Sequence, residues 1–212
     1  MIMRKLDVVG LHSEFFAEHG FELNPTQFLF EKVFPHGKQV IYVHYVQGSK
    51  ESHLEYHLAV RINEIEELVV KFLATPTNYA GRSITLSQTP DKLGHFYPKK
   101  ITVSNDQELA QVINDFEIFF LTKGFKWLDQ MIDPIILEQE FLNHKEDGYE
   151  KFNLEESAFR ATALSKLYNP DDYPILRQFY LEKINSQEMT PFTIALFLQF
   201  LNYLDKLEQV AA

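Results

Sequence analysis

Three side chains that can bind a metal ion occupy alternate positions of one short segment: His53, Glu55 and His57. Alternate residues of a β-strand point to the same face, so a strand here would place all three side chains together. Residues two positions apart are separated by about 6.6 Å, which suits a pair sharing one ion, whereas His53 and His57 are about 13 Å apart. A metal site would therefore use one adjacent pair and a further ligand. His44 becomes that ligand if the register of the preceding strand places it opposite Glu55 or His57.

Two kinds of chemistry would suit these residues. A divalent metal held by His53, Glu55 and His57 would activate a water molecule, with Glu55 as a ligand or general base, as in a metal-assisted hydrolase. Alternatively, His44, Glu55 and Arg61 would line a polar groove that binds a small anion or a peptide carboxylate. A third interpretation assigns the same residues to an ordinary solvated strand face, because loops carry function more often than the middle of a strand.

The remaining motifs of common enzymes are absent from the sequence. There is no cysteine, which excludes disulfide scaffolds, thiolate zinc sites and cysteine nucleophiles and is compatible with a reducing compartment. The eight glycines are never closer than ten residues, so no phosphate-binding loop is present. His12 and His19 do not have the spacing of a helical zinc motif, and we expect both on the surface. Apart from the divalent metal, no cofactor is expected.

The charge is confined to one half of the chain. Residues 1–104 contain eleven Lys and Arg and eleven Asp and Glu, whereas residues 105–212 contain nine and nineteen, a net of minus ten. Such asymmetry indicates an interaction surface more readily than a catalytic one. The leading interpretation is therefore a non-catalytic binding or regulatory protein with a basic protein as its partner. Nucleic acid is not expected as a partner, since the net charge repels phosphate.

Neither an export signal nor a membrane span is visible. The apolar stretch after Lys5 is interrupted by Asp7, His12 and Glu14 before it reaches the length of a signal peptide. In the acidic half, the purest apolar run, 194–198, is far shorter than the ~20 residues that a membrane helix requires. We therefore expect a cytoplasmic protein that does not bind membranes.

The periodicity of apolar residues predicts an α+β fold with an antiparallel sheet. Alternation and turn residues favour a three-stranded meander followed by two further strands, backed by helices. Gly20 is expected to cap the first helix, and Asn63 to cap the second. The predicted elements are a helix over 4–19, strands over 28–34, 39–46 and 53–62, a helix from 63 to about 73, and strands over 83–87 and 100–104.

From Asn105 onward the pattern predicts an all-helical subdomain. Asn105 and Glu108 have the spacing of a capping box, and the helix that they begin is expected to end near Gly124. Further helices are predicted near 125–143, 157–168, 172–185 and 191–208. The expected domains are thus an α+β domain over 1–104 and an acidic helical subdomain over 105–212. The last helix is apolar over a wide arc, as in a core helix or in one that also forms a homodimer.

Three features together resemble bacterial α+β domains of unknown function. They are a first helix ending in His19-Gly20-Phe21, a meander whose last strand runs from Leu58 to Ile62 into Asn63, and a helix ending near Lys123–Trp127. The resemblance covers about the first 130 residues. It implies the α+β fold and carries no functional residue, since such families have no assigned activity.

Overall fold

The computed structural model describes residues 5–73, 81–145, 154–186 and 190–207 of the 212-residue chain. It confirms the predicted α+β fold, with an antiparallel sheet and a helical C-terminal part. The strands are β1 (Glu22–Asn24), β2 (Leu29–Phe34), β3 (Gly37–Gln47), β4 (Ser52–Ile62), β5 (Leu86–Gln88) and β6 (Ile101–Val103). The helices are α1 (Lys5–Gly10), α2 (Ser13–Glu18), α3 (Asn63–Val69), α4 (Asp106–Phe119), α5 (Phe125–Met131), α6 (Pro134–Asn143), α7 (Leu154–Tyr168), α8 (Tyr173–Ser186) and α9 (Pro191–Lys206).

The six strands form one antiparallel sheet in the order β1-β2-β3-β4-β5, with β6 also paired to β4. The predicted meander is therefore confirmed, and the short β1 extends it. On the side of β4 that faces away from β3, two short strands pair with different parts of β4. β5 pairs with Leu58–Val60 and β6 pairs with Ser52–Leu54. The segment 55–57 of β4 thus lies between the two pairings.

The helix expected over 4–19 is instead two short helices, α1 and α2. The chain makes a tight turn between them, with backbone hydrogen bonds from Leu11 N to Val8 O and from His12 N to Val9 O. Gly20 does cap α2, as expected. It has a φ of +83°, a conformation that glycine adopts without strain. The N–H of Phe21 then reaches back to the carbonyl of Phe16, which ends the helix with a Schellman-type turn.

The cap that Asn105 provides for α4 is confirmed, but the helix does not end at Gly124. The Asn105 side chain accepts a hydrogen bond from the N–H of Glu108 at 2.9 Å. Residues Phe120–Gly124 form a π-helical segment that continues directly into α5. A Cβ at Gly124 would lie only 2.6 Å from Cδ1 of Phe120, so this glycine provides room for a ring. The helix predicted over 125–143 breaks at Asp133, whose carboxylate caps α6 ahead of Pro134.

The chain forms two compact units, and each is built from two separate stretches. The first unit comprises Met1–Arg61 and Leu86–Ile132, and the second comprises Ile62–Thr85 and Asp133–Ala212. The predicted domain division after residue 104 falls inside the first unit, between β6 and α4, and stays a prediction. By sequence, the first unit contains eleven basic and thirteen acidic residues, a net of minus two, and the second contains nine and seventeen, a net of minus eight.

Each unit has its own aromatic core. In the first unit, the ring of Phe16 on α2 lies 4.6 Å from Phe30 on β2 and 4.9 Å from Phe120. In the second, Phe159 on α7 contacts Phe197 and Phe200 on α9 at 5.1 and 4.8 Å. Among the described residues, no helix combines the length and the apolar character needed to cross a bilayer.

Candidate functional site

The three predicted metal ligands on β4 divide into a pair and a single residue. Nε2 of His57 lies 3.1 Å from Oε1 of Glu55. His53 instead contacts a neighbouring strand, with its Nδ1 3.2 Å from Oγ1 of Thr102 on β6. The structure thus brings Glu55 and His57 together, whereas His53 contacts Thr102 on β6.

His44 on β3 lies beside this pair, so the register left open by the sequence places it on the same face. The rings of His44 and His57 meet edge to face with centroids 5.5 Å apart, and Tyr42 lies parallel to His44 at 5.9 Å. Arg61 occupies the same face of β4 but is four residues beyond His57, about 13 Å along the strand. Its side chain is buried. The three residues predicted to line a groove, His44, Glu55 and Arg61, are therefore arranged in a line along this face of the sheet.

Sequence reasoning missed Lys99, which completes what we call the polar cluster: Tyr42, His44, Glu55, His57 and Lys99. Nζ of Lys99 lies 3.7 Å from Oε1 of Glu55. Lys99 precedes β6 in the sequence, and only the pairing of β6 with β4 shows that it reaches Glu55. The adjacent lysines Lys99 and Lys100 mark a basic segment in the sequence, but a pair of neighbouring lysines does not indicate a contact with β4.

The electrostatics of the polar cluster favour hydrogen bonding over metal binding. The Glu55 carboxylate lies between an imidazole and an ammonium group, which compete with any metal for its oxygens. Burial and the charge of Glu31 raise the pKa of Tyr42 to about 12, so its hydroxyl is a donor at neutral pH. Across the described ranges, no three His, Asp or Glu side chains are placed to hold one ion. The metal site at His53, Glu55 and His57 and the ligand site at His44, Glu55 and Arg61 both stay predictions.

The expectation that His12 lies on the surface is wrong. His12 is fully buried, with Nδ1 3.1 Å from Oε1 of Glu117 on α4 and Nε2 2.9 Å from the hydroxyl of Tyr56 on β4. Because a carboxylate only accepts, we assign the proton to Nδ1, and Tyr56 then donates to Nε2. No local pattern predicts this arrangement, since Tyr56 and Glu117 lie 44 and 105 positions from His12 in the chain.

The Glu117–His12–Tyr56 chain has the order of an acid–imidazole–hydroxyl triad, but it is not built to attack a substrate. Only 1% of the Tyr56 surface is exposed. Burial and the charge of Glu117 raise the pKa of its hydroxyl, which opposes formation of a nucleophilic phenolate. The chain therefore serves to satisfy buried polar groups and to hold α2, β4 and α4 together.

A column of parallel rings runs from Tyr56 to the surface. Tyr56 stacks on Phe116 at 3.8 Å, Phe116 on His95 at 4.4 Å and His95 on Phe96 at 4.7 Å, and 75% of Phe96 is exposed. The N–H of Tyr97 donates to Nδ1 of His95, which requires the neutral ring to carry its proton on Nε2. Desolvation lowers the pKa of His95, so the ring is neutral at pH 7.

The second unit contains a buried ion pair. Arg160 on α7 donates to both carboxylate oxygens of Glu66 on α3, at 2.8 and 3.0 Å, and both side chains are nearly inaccessible. The bidentate geometry satisfies the two charges mutually. It fixes the pairing of these two helices.

A second polar group of this unit lies between α6 and the start of α8. Nδ2 of Asn169 donates to Glu138 at 3.2 Å and to Asp172 at 2.6 Å, and Nε2 of Gln139 donates to Glu138 at 3.0 Å. Glu138 is fully buried, and its Oε1 has no hydrogen-bond partner among the described residues. Burial raises the pKa of its carboxyl group, with a smaller contribution in the same direction from the charge of Asp172.

Comparisons with protein-family models, with curated proteins and with solved structures give no match for this chain.

Proposed function

We propose that the protein is a non-catalytic binding protein whose second unit binds a basic protein. The observation that supports this proposal is the segregation of charge between the two units. The second unit has a net charge of minus eight, against minus two for the first. A surface of one sign attracts partners of the opposite sign and accelerates their association, in a manner that salt weakens.

The arginines of α7 and α8 pair with carboxylates other than Glu67, Asp171 and Glu182. Arg160 is committed to Glu66, and Arg177 lies 3.0 Å from Asp205 on α9. By contrast, the ion pairs within the described residues include none of the exposed carboxylates Glu67, Asp171 and Glu182. Negative charge is therefore presented to solvent on α3, at the turn before α8 and on α8 itself.

The alternative function is the metal-assisted hydrolase. Its expected general base or ligand, Glu55, contacts both His57 and Lys99. Because these contacts already use the carboxylate of Glu55, they argue against Glu55 as a metal ligand or general base. They therefore support the binding-protein hypothesis indirectly.

The test compares two triple variants that remove equal charge from different units. Glu67→Gln/Asp171→Asn/Glu182→Gln neutralises exposed positions of the second unit. Its matched control, Glu14→Gln/Glu18→Gln/Glu22→Gln, neutralises exposed positions of the first.

Each variant and the parent chain are immobilised, and cell lysate is applied at low and high salt. We expect a basic protein that is captured by the parent and the control, released by salt, and lost or strongly weakened with the second-unit variant. Equal capture by all three chains, or capture that salt does not affect, would contradict the proposal.

We also propose that this binding occurs in the cytoplasm. The absence of cysteine is compatible with a reducing compartment. Fractionation of cells that express the untagged chain tests this location, and recovery outside the cytoplasm would exclude it.

Self-association through α9 is the second partner hypothesis. Three of its large side chains are substantially exposed, Phe192 at 65%, Leu198 at 44% and Tyr203 at 37%. Light scattering measures the mass directly. A dimer that becomes a monomer in Leu198→Ser would support the hypothesis, and a monomeric parent chain would reject it.

A further inference from the structure

Three isoleucines are exposed where α6 and α8 begin. Ile135 and Ile136 on α6 are 55% and 41% exposed, and Ile175 on α8 is 53% exposed. A single exposed apolar side chain is ordinary, whereas several on neighbouring elements mark a contact surface.

A polar contact joins the two elements that carry these isoleucines. Nε2 of Gln139 lies 3.4 Å from Oδ2 of Asp172. Ile136 precedes Gln139 by three residues and Ile175 follows Asp172 by three, so each isoleucine is about one helical turn from the contact. An acidic and amide contact therefore lies about one helical turn from each of these two isoleucines. We call the surface formed by 133–140 and 169–176 the α6/α8 surface.

The α6/α8 surface contains carboxylates and no basic side chain. Residues 133–140 include Asp133, Glu138 and Glu140, residues 169–176 include Asp171 and Asp172, and neither range contains Lys or Arg. Asp133 and Asp171 are exposed, whereas Glu138 is buried and takes no part in the exposed charge. The exposed charge of these two ranges is therefore negative.

The basic groups described at the edge of this surface have contacts of their own. Arg177 contacts Asp205, and Nζ of Lys166 lies 5.2 Å above the ring of Tyr173. Lys145 lies 6.0 Å above Phe179, farther along α8. His144 is 3.4 Å from Oε1 of Glu140, and it adds positive charge only when protonated.

We propose that the α6/α8 surface is the docking site for an amphipathic basic helix of the partner protein. The inference depends on the proposed function and specifies the partner's chemistry. Apolar residues at helical spacing would pack on the isoleucines, and flanking Lys or Arg side chains would meet Asp133, Asp171 and Asp172. Helices that combine an apolar stripe with basic flanks bind acidic apolar surfaces in this way.

The probe is a synthetic helical peptide of leucine and lysine whose leucines share one face. A scrambled peptide of the same composition, with leucines spread around the helix, is the control for charge alone. Affinities are measured by fluorescence anisotropy with the full-length chain at two salt concentrations.

Two pairs of variants locate the binding surface. Ile136→Ser/Ile175→Ser removes both isoleucines, and Phe192→Ser/Leu198→Ser is its control because it removes exposed apolar residues of α9 in the same unit. Asp171→Asn removes one carboxylate of the surface, and Glu18→Gln is its control at an exposed position of the first unit. All these positions are exposed, and far-UV circular dichroism verifies that each variant is folded.

We expect the amphipathic peptide to bind more tightly than the scrambled peptide, with binding weakened about tenfold or more by the isoleucine variant. Asp171→Asn should weaken binding to a smaller extent and reduce its dependence on salt. Both control variants should bind like the parent chain.

Other results overturn the inference in distinguishable ways. Equal loss in the isoleucine variant and its α9 control, or equal binding of both peptides, would exclude this surface or this helix chemistry. If neither peptide binds but a salt-sensitive basic partner is captured from lysate, the inference fails while the proposed function stands. If no basic ligand of any kind binds, both fail.

Discussion

Removing the Tyr56 hydroxyl tests whether the buried Glu117–His12–Tyr56 chain stabilises the first unit. In Tyr56→Phe the ring remains, so its stacking on Phe116 at 3.8 Å and its packing volume are kept. What is lost is the 2.9 Å hydrogen bond to Nε2 of His12, a residue with no exposed surface. A buried acceptor left without a donor costs about 1–3 kcal/mol, and we expect a loss of unfolding free energy in that range.

Tyr45→Phe is the matched control. The hydroxyl of Tyr45 donates to Oγ of Ser52 at 3.0 Å in a partly buried position. The serine hydroxyl can turn to water when this bond is lost, so the expected cost is below about 1 kcal/mol. The difference between the two variants isolates the effect of burial.

Urea unfolding followed by tryptophan fluorescence is the appropriate assay. Trp127 is the only tryptophan in the chain and belongs to α5, so its emission reports on the first unit. The slope of free energy against urea should not change, since the exposed surface is similar in all variants.

The result that would refute this reasoning is a Tyr56→Phe variant no less stable than Tyr45→Phe. The pair His12→Phe and Tyr56→Phe provides a second check. If the two residues depend on each other, the double variant should lose less free energy than the two single variants together, whereas strict additivity would show no coupling.

Three further outcomes are expected. Glu138→Gln should raise the unfolding free energy at pH 7 by up to about 1 kcal/mol, since burial raises the pKa of this carboxyl group and penalises its charged form. Far-UV circular dichroism in urea should show this advantage shrinking as the pH falls through the raised pKa toward the usual value of 4.5. Arg160→Ala should cost about 3–5 kcal/mol by leaving Glu66 buried and uncompensated, and Glu66→Leu/Arg160→Met should recover most of that loss in the same assay. Elemental analysis of the untagged chain should find no stoichiometric metal that disappears in His53→Ala/His57→Ala, because Glu55 is occupied by its neighbours.

Each of these outcomes has a result that would contradict it. Glu182→Gln, at an exposed position, is the control for Glu138→Gln. Equal changes in unfolding free energy in the two variants would show that the burial of Glu138 is not the cause. A double variant as unstable as Arg160→Ala would show that the Glu66 charge is not the source of the loss. Near-stoichiometric zinc, manganese or iron lost on substitution of the two histidines would restore the hydrolase hypothesis.

The sheet was predictable because its signals are local. Alternation in β4 identified its two faces, with Tyr56 on one and His57 on the other, but both of these side chains are buried. The cap that Asn105 provides for α4 similarly involves residues of one helical turn. Such patterns depend on neighbouring residues alone, so one sequence suffices to find them.

The rest of the site depends on contacts between distant residues. His12 has the local pattern of a surface residue, yet it is buried because Glu117 and Tyr56, 105 and 44 positions away, satisfy both ring nitrogens. Lys99 reaches Glu55 only through the pairing of β6 with β4. Gly124 resembled a helix terminator, but its lack of a side chain makes room for Phe120 within a continuous helical segment. No local sequence pattern predicts any of these three contacts.

The interleaved composition of the two units has a consequence for synthesis and for gene design. The backbone passes from one unit to the other at three places, near residues 61, 85 and 132. During synthesis, α3 leaves the ribosome before α4 and α5 are made. The sheet therefore emerges before α4, the helix whose Phe116 stacks on Tyr56. A fragment cut after residue 104 would lack that partner as well. Isolating either unit would require joining its two stretches with a new connection, and no single uninterrupted segment of the gene encodes one of them.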